Sequence, residues 1–130
     1  MFNVCLVEDE KNLNDLIKTY LEKANYKVIQ CYSGKEAMEV DEKIHLWILD
    51  IMLGDDISGY DIIKHIRETD EKVPIILDEA FAFFDNERLK NILLYLSEEF
   101  KNRQIIILTC TNREKEILNN ENINYNYVEL

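Results

Sequence analysis

The chemistry this sequence offers rests on three carboxylates. Glu8 and Asp9 stand side by side in CLVEDE, and Asp50 ends the apolar run HLWILD. Like charges gathered in one place are unfavourable unless a cation sits among them or one of them takes a proton. The natural cation for an all-oxygen donor set is hard and divalent, Mg2+. Beside it, Asp50 becomes an oxygen nucleophile able to accept a phosphoryl group as an acyl phosphate, and Glu8 and Asp9 become ligands, partly through water. A single acid at a strand end serves solubility. The adjacent pair with a third acid ending another strand is what points to a site.

The elements must bring these residues together. Residues 2–7 form a short apolar run rich in strand formers, and the acids follow it at once. Leu13, Leu16, Ile17, Tyr20 and Leu21 recur at helical spacing and predict an amphipathic helix. Residues 27–32 read as a second strand. Ser33 with Glu36 fits a capping box that opens a short helix. Residues 45–50 are a third strand, apolar almost to the end. Ile62, Ile63 and Ile66 mark the next helix, and residues 74–77 a fourth strand with Pro74 at its start. A helix over 86–100, a strand over 104–109 and a short helix over 113–118 continue the alternation. Residues 125–128 are a candidate sixth, edge strand. Apolar strands alternating with helices predict an α/β, doubly wound parallel sheet. In such a sheet the first and third strands are neighbours at the switch point where ligands bind, so Glu8, Asp9 and Asp50 converge in one crevice.

Composition narrows the function. With 130 residues, 47% of them hydrophobic, the chain suits one domain spanning 1–130 with a real core. A net charge of −11 without a basic patch argues against a nucleic-acid partner. No apolar run approaches the roughly 20 residues that span a bilayer, so no membrane partner is expected and a cytoplasmic location is. Three cysteines without C-x-x-C spacing predict neither a disulfide framework nor a zinc site; Cys5 and Cys31 read as small buried hydrophobes. His45, His65 and Trp47 read as structural residues. Phe81, Phe83 and Phe84 read as core or as a patch that drives dimerisation.

CLVEDEKNL, WILDIMLGDDISGYDIIKHIR and VPIIL, within residues 1–77, resemble the receiver domain of bacterial response regulators. The resemblance implies a flavodoxin-like sheet of order 2-1-3-4-5 and a non-enzymatic phosphoacceptor module of two-component signalling and phosphorelay. It implies Asp50 as the acceptor, Glu8, Asp9, Asp50 and the backbone carbonyl of Met52 as Mg2+ ligands, and a histidine kinase as phosphodonor. Two departures stand out. Where the family's fourth strand ends in Ser or Thr followed by Ala, this chain reads PIILDEA, with Glu79 in the hydroxyl's place. The family's Lys after the fifth strand is missing from IIILTCTNRE, and Arg113 is the nearest cation. Impaired switching is the consequence expected.

Residues 73–130 resemble something else. PIILDEAFAFFDNERLKNILLYL with QIIILTCTNREKEI is similar to the Walker B strand, D-loop and switch region of ABC-type or SMC-like ATPases. That resemblance implies Asp78 near Mg2+, Glu79 as the residue orienting water and Asp85 as the D-loop acid. No G-x-x-x-x-G-K-[ST] loop is present to cradle phosphates, so an intact ATP site is not expected. The two resemblances meet near residues 73–77 and predict a recombined or designed chimera. Asp78 and Glu79 then extend the acidic rim around Asp50. The alternative to a phosphoacceptor is a chimeric α/β scaffold with no native activity. The last strand or the aromatic patch is a candidate homodimer contact.

Overall fold

The computed structural model describes residues 1–50, 57, 59–78, 85–99, 104–109 and 111–129. Among the described residues five strands and five helices alternate: β1 (Asn3–Val7), α1 (Lys11–Lys23), β2 (Lys27–Cys31), α2 (Gly34–Met38), β3 (Leu46–Asp50), α3 (Gly59–Thr69), β4 (Ile75–Asp78), α4 (Asn86–Glu99), β5 (Ile105–Leu108) and α5 (Arg113–Asn120). The strands form one parallel sheet of order β2-β1-β3-β4-β5, as expected for a flavodoxin-like receiver fold.

Register sorts the side chains onto two faces. Cys5, Trp47, Ile75 and Ile105 align across four strands. With Val7, Leu49 and Leu77 two positions on, they form the face that packs with Ile62, Ile63 and Ile66 of α3 and Leu89, Ile92, Leu93 and Leu96 of α4 in one core cluster. The opposite face is covered unevenly. Val4 and Leu6 of β1 are fully buried, and α1 lies against β1 and β2. At the far edge, Ile106 and Leu108 of β5 are exposed. The reason is topological. A right-handed crossover from β1 to β2 runs opposite to those from β3 to β4 to β5, so α1 falls on the other side of the sheet from α3 and α4. The last helix, α5, packs on α4 instead of joining α1.

Local chemistry explains the helix ends. Ser33 accepts from the Glu36 N–H at 3.1 Å and caps α2. The Glu36 carboxylate reaches back to the N–H of Tyr32, one residue earlier than in a capping box proper. Helices α1 and α5 close alike. Asn25 and Asn122 adopt φ of 70° and 56°, and the N–H groups of Tyr26 and Ile123 donate to the carbonyls of Leu21 and Leu118. Both are Schellman closures with Asn in the left-handed position.

The second closure corrects one expectation. Residues 125–128 do not form a sixth strand. Ile123 is tied back to Leu118, Tyr125 donates its hydroxyl to Asn119 at 2.8 Å, and Lys115 sits 4.0 Å over the Tyr127 ring. The tail folds onto α5, so the dimer contact foreseen through that strand has no strand to carry it. Cys5 and Cys31 are buried free thiols with Sγ atoms 3.7 Å apart. Phe81, Phe83, Phe84 and Cys110 lie outside the described residues.

Candidate functional site

The first acid pair follows β1 directly. The Glu8 N–H donates to the Cys31 carbonyl at 3.0 Å, extending the β1–β2 pairing by one bond beyond the strand. Glu10 then starts α1. Its carboxylate accepts from the N–H groups of Asn12 (3.2 Å) and Leu13 (3.0 Å), an N-cap bond pattern supplied by a longer side chain than usual. That fixes the turn between Val7 and Lys11 that presents Glu8 and Asp9. Asp50 ends β3, the neighbour of β1, with Val7 and Leu49 in register one step before it. Ligand-atom oxygens of Glu8, Asp9 and Asp50 all lie within 4.8 Å of one another. The three expected residues therefore meet.

Their environments differ. Glu8 is buried, Asp9 is exposed and Asp50 is half-buried. Burial first, and then the hydrogen bond and charge of Asp50, raise the Glu8 carboxyl from its ordinary 4.5 to about 8 in all, against the Glu10 N–H, 3.3 Å from the Glu8 carboxylate, which lowers it. Without a cation, Glu8 therefore holds a proton at neutral pH. A carboxyl that protonates beside two more carboxylates marks a donor set short of positive charge. That fits a hard divalent cation with some ligands supplied as water.

The remaining predicted residues divide. Asp78 aligns in register with Asp50 on β4 but is outside the group of three. Met52 and Glu79 lie outside the described residues, so the predicted carbonyl ligand and the residue in the hydroxyl's place have no geometry to report. Arg113, at the start of α5, donates to Asn86 at the start of α4 at 3.4 Å. Trp47 is buried in the core cluster, as expected.

Two residues carry roles the spacing did not reveal. Glu10, to which the sequence analysis gave no role, serves as the N-cap of α1. Asn14 is the fully buried side chain of α1, while Leu13, Leu16 and Tyr20, three members of the stripe that announced the helix, are exposed. The available signal was a polar residue one turn after the acid pair, at a position where a helix against a sheet would ordinarily place an aliphatic one.

The comparisons with known proteins agree with this geometry. The response regulator receiver domain model matches residues 4–82. The transcriptional regulatory protein CssR of Bacillus subtilis is 39% identical over 111 residues, covering 82% of this chain and 48% of that protein. A share of that size cannot fit inside the first 77 residues, so the likeness runs on into the second half. Among solved structures, the response regulator protein TrrA of Thermotoga maritima, in complex with Mg2+-BeF, superposes with a TM-score of 0.64 at 21% identity, covering 95% of this chain and 99% of that one. The response regulator DrrB of the same organism, an OmpR/PhoB homolog, gives 0.62 at 26% identity, over 90% of this chain and 49% of that one. None of these supports the ATPase resemblance of residues 73–130 or a chimeric origin. The chain spans about half the length of the curated relatives it matches. The expectation of no nucleic-acid partner gains nothing from them either, since CssR is a transcriptional regulatory protein. The acid cluster at the ends of β1 and β3, the 2-1-3-4-5 sheet and the matched family model lead to one conclusion: the chain belongs to the response regulator receiver domain family.

Proposed function

We propose that this receiver accepts a phosphoryl group on Asp50, with Mg2+ held by Glu8, Asp9 and Asp50 and by the carbonyl of Met52. The observation that carries the reading is the convergence of three carboxylates from the ends of two adjacent strands. TrrA, solved with Mg2+-BeF, lends the choice of metal support. The bound cation would supply positive charge that offsets the negative charge of the transferring phosphoryl. The chain's own part is to aim one Asp50 oxygen at phosphorus while Glu8 and Asp9 hold their ligand positions. Membership of the receiver family supports a histidine kinase as donor: the P–N bond of its phosphohistidine breaks as the O–P bond to Asp50 forms. Asp50 is consumed once per transfer, which makes the module a phosphoacceptor and not an enzyme, working in the cytoplasm. Asp78, in register with Asp50 on the neighbouring strand, adds negative charge close to the acceptor, so the acyl phosphate should form slowly or decay quickly.

The test is intact mass after incubation with acetyl phosphate and Mg2+. One added phosphoryl group is expected, absent without Mg2+ and absent in Asp50→Asn. A folded protein that gains no mass would overturn the proposal.

A further inference from the structure

Next to the acid cluster lies a buried amide that is not one of its carboxylates. Asn14 is fully buried on α1, six residues after Glu8. Its Nδ2 donates to the carbonyl of Glu8 at 2.9 Å and to the carbonyl of Cys31 at 3.2 Å. Its Oδ1 accepts from Gln30 Nε2 at 2.9 Å, and the same Nε2 donates to Asp15 at 2.8 Å. The Cys31 carbonyl also accepts the Glu8 N–H. One amide thus joins the backbone on both sides of the β1–β2 seam at the residue that supplies a carboxylate to the cluster.

We propose that Asn14 is a positioning residue for the acid pair, setting the backbone of Glu8 so that its carboxylate meets those of Asp9 and Asp50. The proposal rests on the phosphoacceptor reading, because it concerns the cation that reading places there. The side-chain type is demanding. The position needs a donor for two carbonyls and an acceptor for Gln30, all within a fully buried volume. Aspartate lacks the donors, and leucine lacks both functions at nearly the same size. Without the amide, the Glu8 carbonyl must turn toward another donor, and turning it rotates the peptide that leads into Asp9.

A merely structural Asn14 would change stability and leave cation affinity alone, so Mg2+ affinity separates the two roles. The experiment is calorimetric titration of the intact chain with MgCl2. It is run on the wild type, Asn14→Leu, Gln30→Met and the core variant Ile66→Val, each checked for fold by circular dichroism. Asn14→Leu is expected to bind Mg2+ about tenfold or more weakly, the usual loss when a group that orients a metal ligand is removed. Gln30→Met keeps the donor but frees the amide to turn, and should lose less in the same direction. Ile66→Val should melt earlier with unchanged Mg2+ affinity. A folded Asn14→Leu that binds Mg2+ like the wild type overturns the proposal, and so does an Ile66→Val that loses equal affinity. If Asn14→Leu does not fold, Gln30→Met decides, and unchanged affinity there overturns it. A wild type that binds no Mg2+ defeats the phosphoacceptor reading, and the positioning role with it.

Discussion

Glu8 is where the chemistry of single residues shows most clearly. Its carboxyl lies at about 8 in the folded chain against 4.5 ordinarily, first because it is buried and then because Asp50 is beside it. The folded state therefore binds more protons than the unfolded state between those two values, and stability falls as pH rises through them. In the absence of Mg2+, the urea midpoint of the wild type should drop relative to that of Glu8→Gln from about pH 5 to about pH 9. Saturating Mg2+ should remove most of the drop, because a bound cation takes the proton's place. A wild type and variant whose midpoints run parallel across that range would show that Glu8 does not titrate as described. Asp50, the proposed acceptor, was legible from its place at the end of an apolar strand. Asn14 was not legible, because whether a polar residue on a helix is buried depends on what the helix meets.

At the scale of elements, the β1–α1 turn and the α2 start do the positioning. Gly34 opens α2 with Ile57 directly against it: a Cβ added there would lie 2.7 Å from the Cβ of Ile57 and 3.1 Å from its carbonyl oxygen. Close packing against Ile57 is the role of this glycine. Gly34→Ala should cost about 1–3 kcal/mol by overpacking, read as a lowered denaturation midpoint. A midpoint within error of the wild type would mean that Ile57 moves aside freely. Strand and helix assignments followed well from apolar runs and from caps such as Ser33. The expected sixth strand failed because Asn122 closes α5 in the left-handed conformation and turns the chain back. Alternation of Ile123, Tyr125 and Tyr127 looks like a strand, but a strand also needs a partner that the turn lets it reach.

For the molecule as a whole, the question is whether two halves of different resemblance behave as one body. The core cluster crosses the supposed boundary, joining Val7, Leu49 and Ile63 to Leu77, Leu89 and Leu93. We therefore propose that residues 1–130 are a single domain. Calorimetry should show one transition whose calorimetric and van't Hoff enthalpies agree. Two resolved transitions would mean halves that fold independently, as a chimera of separable units would. The sequence alone determined the order of the elements up to α5, the strand ends that carry the acids and the receiver resemblance of residues 1–77, because periodicity, caps and short motifs are local properties that survive in one dimension; it misjudged the tail and the second half. Tertiary structure decided the rest. It buried Asn14 while leaving Leu13, Leu16 and Tyr20 exposed, sent α5 to the face of α4, and raised the Glu8 carboxyl. Each of these depends on which surfaces meet and how much water they exclude, and those are set by residues far apart in the chain.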